Sequence, residues 1–203
     1  QSGSVNTARV VSEELLKDYP GASVYCVDSL NACLGEGALA IEAAKLAETG
    51  IGAEEVFKKV QAMRKRVNEY CTVHSLEFLR RAGRVKGPAA FFGNLMGVKP
   101  IIVADADGAQ AAFKKVKGRQ ASFREIVALL KESIVNPEEQ TIYLAHADCS
   151  EEEVEELKAL VKVEIPCKEI FVGYIGPIIG ASIGPDAVAL IGFGKEVTFR
   201  AAE

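Results

Sequence analysis

Three short stretches of the chain set hydroxyl side chains beside glycine in a way that suits an anion. They are Ser2-Gly3-Ser4 ahead of a helical pattern, Asp28-Ser29 followed by Gly35 and Gly37, and Gly176-Pro177 running through Gly180-Ala181-Ser182-Ile183-Gly184-Pro185. Glycine lets backbone N–H groups approach a ligand closely, and the start of a helix offers unpaired N–H groups with a partial positive charge. A carboxylate or a phosphate is the matching guest. Each stretch taken singly also reads as an ordinary turn or helix cap, so the chemistry depends on their coming together.

Other reactive side chains are sparse. Arg80, Arg81, Arg84 and Lys86 make the densest basic cluster, which reads either as a solvated helix end, where cations are favourable, or as a surface that meets an anion. His74 and His146 are the only side chains with a near-neutral intrinsic pKa. Neither has a Ser or Cys placed to form a nucleophile and base, and both read as structural histidines. GxSxG, Walker A and GxGxxG are absent, Gly35-Glu36-Gly37 lacking a third glycine. No HxxxH or CxxC pair has metal-ligand spacing. No catalytic or metal-binding residue is therefore assigned.

Composition sets outer limits on function. The 203 residues carry 24 Lys plus Arg against 28 Asp plus Glu, a net charge of -4, so no whole-chain positive field exists to hold nucleic acid. The longest strongly apolar runs, such as Ala187 to Phe193, are strand-sized and far short of the ~20 residues a membrane helix needs. The cysteines, Cys26, Cys33, Cys71, Cys149 and Cys167, are an odd and scattered set, which fits a reducing cytoplasm.

The elements that must position the loops are legible as periodicity. Val5, Ala8, Val11, Leu15 and Leu16 predict a helix capped by Ser4 or Asn6, and Tyr19-Pro20-Gly21 stops it. Ser23 to Val27 predicts a short buried strand, Leu39, Ala43 and Leu46 a helix, and Val56, Val60, Met63 and Val67 a third. A short strand and a helical turn follow between Cys71 and Leu79. Downstream, Pro100 to Ala104 and Ala111 to Val116 read as a hairpin about Asp107-Gly108. Phe123 to Ile134 predicts a helix and Thr141 to Ala145 a strand. Ser150-Glu151-Glu152-Glu153 has the form of a capping box, opening a helix to about Val161. Strands are expected at Glu169 to Tyr174, Ala187 to Phe193 and Glu196 to Arg200, with 176–185 as a glycine- and proline-bearing connection. The fold class is α/β, with hairpins in the second half where the first has helix crossovers.

The ordered set Ser2-Gly3-Ser4 with Ala8, Val27-Asp28-Ser29 with Gly35 and Gly37, Leu76-Glu77-Phe78-Leu79-Arg80-Arg81-Ala82-Gly83-Arg84-Val85, Val98-Lys99-Pro100-Ile101 with Asp107-Gly108, and Gly180-Ala181-Ser182-Ile183-Gly184-Pro185 resembles the DegV family of bacterial fatty-acid-binding proteins. The resemblance implies a partial parallel α/β first domain followed by a mixed-sheet α/β second domain, with a long-chain fatty acid held between them. Residues 1–72 would be the C-terminal part of the headgroup-loop domain and residues 73–203 the domain that closes the lipid pocket. It further implies that Ser2, Gly3, Ser4 and Ser182 meet the carboxylate, that Asp28, Ser29, Gly35, Gly180 and Gly184 shape the pocket loops, and that Arg81 and Arg84 face a kinase or its phosphate. The expected partner is a fatty acid kinase catalytic subunit, which phosphorylates the bound acid to an acyl phosphate. The carrier has no turnover alone and needs no cofactor beyond its bound fatty acid.

Two features depart from that family's pattern. Ser182 stands where the family carries a histidine placed to meet the carboxylate, and Asp186 replaces the motif's last glycine. The family's first half-domain would also precede Ser2, which implies self-association or a missing N-terminal segment. The alternative reading is a ligand-free relative that serves as an interaction or regulatory module.

Overall fold

The computed structural model describes residues 2–87 and 97–201; Gln1, placed by the sequence in the opening loop, lies outside them. Helices are α1 (Ser4–Asp18), α2 (Cys33–Glu48), α3 (Ala53–Met63), α4 (Glu77–Arg81), α5 (Arg119–Ser133), α6 (Glu151–Glu164) and α7 (Pro177–Ile183). Strands are β1 (Val67–Thr72), β2 (Val98–Ala104), β3 (Gln110–Lys117), β4 (Thr141–Ala147), β5 (Glu169–Tyr174) and β6 (Ala187–Phe193). They form one sheet in the order β3-β2-β1-β6-β4-β5. Neighbours run antiparallel except β4 and β5, which are parallel and joined through α6 as a crossover requires. The architecture is mixed α/β, as the sequence implies.

Strand β1 sits in mid-sheet, with Cys71 opposite Ile102 of β2 on one side and Ala189 of β6 on the other. The sheet thus joins strands from both sides of residue 72. Alternation along each strand sends neighbouring residues to opposite faces. Val67, Cys71, Val73, Ile102, Ala145 and Ile191 pack toward α2, α3, α4 and α7. Ile101, Ile142, Leu144, Val188 and Leu190 pack toward Phe123 and Leu130 of α5 and Leu157 and Val161 of α6.

Several sequence expectations are corrected by tertiary pairing. Residues 23–27 carry no strand, and Val24 is half exposed; a strand is defined by a paired neighbour, and none of the described strands adjoins them. The third helix stops at Met63 rather than Val67, because Val67 opens β1 opposite Phe193 and is buried there. Residues 196–200 form no strand, since their backbone hydrogen bonds reach two different places, Val197 N to Lys65 O and Ala106 N to Phe199 O. The 176–185 connection contains α7, with Pro177 at its start where a missing N–H costs nothing. Ser4 is already helical, Gly3 takes the cap position, and Asn6 lies inside α1.

The start of α6 keeps half of its expected capping box. Ser150 Oγ accepts a hydrogen bond from Glu153 N at 3.3 Å. The Glu153 carboxylate turns instead to Arg119 at the start of α5, with Nε to Oε1 at 2.8 Å. A charge-assisted bond to guanidinium is stronger than one to a backbone N–H, so the glutamate ties two helices together. Among the described residues, no helix is long and apolar enough to cross a membrane.

Candidate functional site

The Asp28–Gly35 loop is shaped by its own side chains. Asp28 Oδ1 accepts from Leu30 N at 3.1 Å, and Ser29 Oγ accepts from Asn31 N at 3.2 Å while donating to Asn31 O at 3.0 Å. These local turns hold Leu30 and Cys33 at positive φ, +58° and +49°. Arg64 anchors the loop from below, its Nη1 donating to Asp28 O at 2.7 Å. Gly35 is needed in the first turn of α2, because a Cβ there would lie 2.9 Å from Asn31 Cβ.

Two motifs that lie far apart in sequence meet on this loop. The β2–β3 hairpin tip reaches it so closely that a Cβ on Gly108 would lie 2.9 Å from Leu30 Cα. The tip is held by Asp105, whose Oδ1 accepts from Asp107 N at 3.0 Å and Ala109 N at 2.8 Å. Leu30, Asn31, Arg64, Ala104 and Asp105 then line a small cleft between loop and sheet.

Cys33 connects the loop to the third motif. Burial raises its thiol pKa above the ordinary value, Glu69 adds to the rise, and backbone hydrogen bonds from Leu34 and Gly176 oppose it. Gly176 is the cap of α7, and Ile179 and Ile183 of that helix pack on the same core as Cys33 and Leu34. Nearby, a Cβ on Gly173 would lie 3.3 Å from Leu34 Cδ1.

Under the same loop lies Glu69, which sequence reasoning missed. It is buried on the α2 face of β1, and burial raises its carboxyl to about 7 against the lowering effect of hydrogen bonds from Gln110 and the Ala32 backbone. Gln110 Nε2 donates to its Oε1 at 3.4 Å, whereas Oε2 has no partner. The signal was present as an acid inside the alternation Val67, Glu69, Cys71, Val73. Extending the preceding helix through Val67 concealed it.

The α7 stretch and the basic cluster share one end of the molecule. Gly184 has φ +86°, and a Cβ there would come within 2.5 Å of the Phe78 ring, which places α7 directly on α4. Ser182 Oγ donates to Ile178 O at 3.2 Å, and a Cβ on Gly180 would be 3.9 Å from Ile175 O. On α4, Arg81 is ion-paired with Glu77 and exposed, and just beyond the helix Arg84 Nη1 donates to Ala82 O at 3.0 Å. Ser2, Gly3 and Ser4 remain exposed. Among the described residues their hydrogen bonds stay local, Ser2 Oγ to Ser4 Oγ at 2.9 Å and Thr7 Oγ1 to Gly3 O at 3.1 Å.

The two histidines sit in different surroundings. His146 is buried against Tyr174 with ring centroids 4.6 Å apart, its Nδ1 has no partner, and burial lowers its pKa. His74 is largely exposed, with Nδ1 2.9 Å from Lys99 Nζ and 3.9 Å from Asp186 Oδ2. Burial also raises the Cys149 thiol to about 11, so it stays protonated at neutral pH. Among the described residues no group of three or more His, Cys, Asp or Glu gathers as a metal site.

Comparison with known proteins adds context to this geometry. A family model described as "Uncharacterised protein, DegV family" matches residues 1–195. A DegV domain-containing protein of Clostridium perfringens is 39% identical over 197 residues, covering 96% of this chain and 67% of that protein. The chain spans about two thirds of the length of the curated relatives it matches. Among solved structures, a DegV family protein from Thermus thermophilus described by its fatty acid binding superposes with TM-score 0.84 at 27% identity, covering 96% of this chain and 67% of the other. The Streptococcus pneumoniae Fatty Acid Kinase (Fak) B3 protein, loaded with linoleic acid, superposes with TM-score 0.82 at 18% identity, covering 96% and 68%.

Proposed function

This chain belongs to the DegV family, and we propose that it holds a long-chain fatty acid and presents it to a fatty acid kinase. The observation that carries the reading is that Cys33 and Leu34 beside the Asp28–Gly35 loop and Ile179 and Ile183 of α7 pack against one and the same core. Two of the three anion-suited stretches are thereby anchored on one core. The fatty acid binding described for the Thermus thermophilus relative supports the choice of ligand.

In this reading Ser2, Gly3, Ser4 and Ser182 supply hydroxyls and backbone donors to the carboxylate, while Asp28, Ser29, Gly35, Gly180 and Gly184 fix the loops around it. An acyl chain gains roughly 0.8 kcal/mol per buried CH₂, whereas its carboxylate must find donors to leave water. Arg81 and Arg84 lie exposed at the end of α4, where their charge meets the kinase or the phosphate it transfers. Support for a kinase partner comes from the likeness in fold to the pneumococcal Fatty Acid Kinase B3 protein. The carrier itself performs no chemistry in this scheme and requires no cofactor.

A second reading has one observation in its favour. The side chains of Asp28, Ser29 and Ser182 are already engaged with nearby backbone, as they would be in a ligand-free interaction or regulatory module. Denaturing solvent extraction of the purified protein, followed by mass spectrometry, separates the two. Near-equimolar fatty acid is expected. No acid, together with no rise in melting temperature on adding oleate or palmitate, overturns the lipid reading, because a ligand of the native state must stabilise it.

A further inference from the structure

Glu69, Asn31 and Arg64 each carry a buried polar atom without a partner, namely Oε2, Oδ1 and Nε. Asn31 belongs to the Asp28–Gly35 loop, Arg64 anchors it, and Glu69 lies between Val67 and Cys71 on the face of β1 against which Cys33 and Leu34 pack. Buried polar groups are normally satisfied, so a concentration of exceptions under one loop marks a place of function or strain. Leu30 and Cys33, both non-glycine residues at positive φ, lie in the same loop and point the same way.

We propose that Glu69 is a positioning residue for this loop: as a neutral acid it lets the loop close on the sheet, and as a carboxylate it drives the loop open. The proton is exchanged with solvent, and no other bond changes. Among the described residues no Lys, Arg or His pairs with the Glu69 carboxyl, whose Oε1 meets Gln110 and whose Oε2 has no partner. Gln110 of β3 is neutral, Cys71 of β1 and Cys33 of α2 are thiols that its charge disfavours ionising, and Asp105 is an acid engaged with backbone N–H groups. Asp28 is a second acid, turned to Leu30 N, and the Arg64 guanidinium is directed at Asp28 O. An ionised Glu69 must therefore regain water, and lifting the overlying loop is the shortest route. The elevated carboxyl pKa, about 7, puts the change in the physiological range.

The consequence for ligand rests on the fatty-acid reading above; the consequence for the loop does not. The test is amide hydrogen exchange of residues 29–35, corrected for intrinsic rates, in the full chain from pH 5 to pH 8, with oleate affinity measured in parallel. Wild type is expected to lose protection by tens of fold, levelling above about pH 7, since linkage acts between the free and the elevated carboxyl pKa. Oleate binding should weaken over the same interval, and Glu69→Gln should abolish both trends. Parallel profiles in wild type and variant overturn the proposal. An exchange step without oleate binding at any pH removes the fatty-acid reading and leaves the latch standing, whereas oleate binding without the step does the reverse. If Glu69→Gln does not fold, a carbon NMR titration of the wild-type Glu69 carboxyl decides: a midpoint near 7 supports the latch, and one at the ordinary value of about 4.3 overturns it.

Discussion

Gly184 packs against Phe78 with no room for a side chain: a Cβ would stand 2.5 Å from ring Cδ2, at a backbone φ of +86°. This contact couples the stretch that carries Ser182 to the helix that carries Arg81. Gly184→Ala should cost on the order of 3 kcal/mol, from backbone strain and overpacking together. Adding Phe78→Ala should recover the steric part and leave the strain. Chemical denaturation of both variants measures this, and an additive double variant would show that the two positions are not in contact.

The Gly108 contact makes a harsher demand, because what a Cβ would meet is backbone at Leu30 rather than a movable ring. Gly108→Ala, at φ +75°, should push the hairpin away from the Asp28–Gly35 loop. The expected outcome is faster amide exchange at residues 28–31 with little change at the opposite face of the sheet, around Leu144 and Leu190. Uniform destabilisation of both regions would count against a specific docking contact.

Which parts of this were legible in sequence follows from what each part depends on. The hairpin about Asp107-Gly108 and the Ser150 cap are local: their hydrogen bonds span only a few residues, and the residue types announce them. Val67 and the 23–27 run depend on which strand lies alongside. One was drawn from a helical spacing into β1, and the other has no neighbour among the described strands. Convergence of the loops is likewise non-local, since Cys33 and Leu34 are brought onto one core with Ile179 and Ile183 by the sheet. Glu69 shows the same limit: its alternation was visible, but its pairing with Gln110 requires the strand order.

Ser150 carries the side-chain N-cap of α6, through the bond from Glu153 N. Ser150→Ala should lower stability by about 1 kcal/mol, and Ser150→Asp should largely preserve it. Glu153→Gln tests a different contact, the ion pair to Arg119, whose guanidinium also lies over the Phe123 ring. It should loosen the α5–α6 packing while the cap remains. Equal effects on all three variants would mean that cap and ion pair act as one unit.

Glu69 also predicts how global stability varies with pH. Its folded carboxyl is raised to about 7 from 4.5, so its protonated form favours the native state. The contribution is fully present below about pH 4.5 and is lost as pH rises to about 7, after which it is constant. Relative to wild type, Glu69→Gln should therefore gain stability between pH 5 and pH 7, by at most about 3 kcal/mol, with no further gain at pH 8. Urea titrations at fixed pH values measure the difference. A gap that is constant with pH would assign the carboxyl an ordinary titration.

Arg81 and Arg84 can be separated from the fold because both are exposed at the end of α4, and the Arg81–Glu77 pair is a surface contact between helix neighbours. Such pairs contribute about 0–1 kcal/mol. Arg81→Ala with Arg84→Ala should therefore leave the melting temperature nearly unchanged and leave the co-purified fatty acid at its wild-type amount. If these arginines face the kinase, formation of acyl phosphate by a fatty acid kinase supplied with this carrier should fall at least tenfold, and more steeply at low salt, where charge steering is strongest. Loss of bound acid in the double variant would move the arginines to the lipid site instead. Unchanged acyl phosphate formation with full lipid content would remove them from the partner surface.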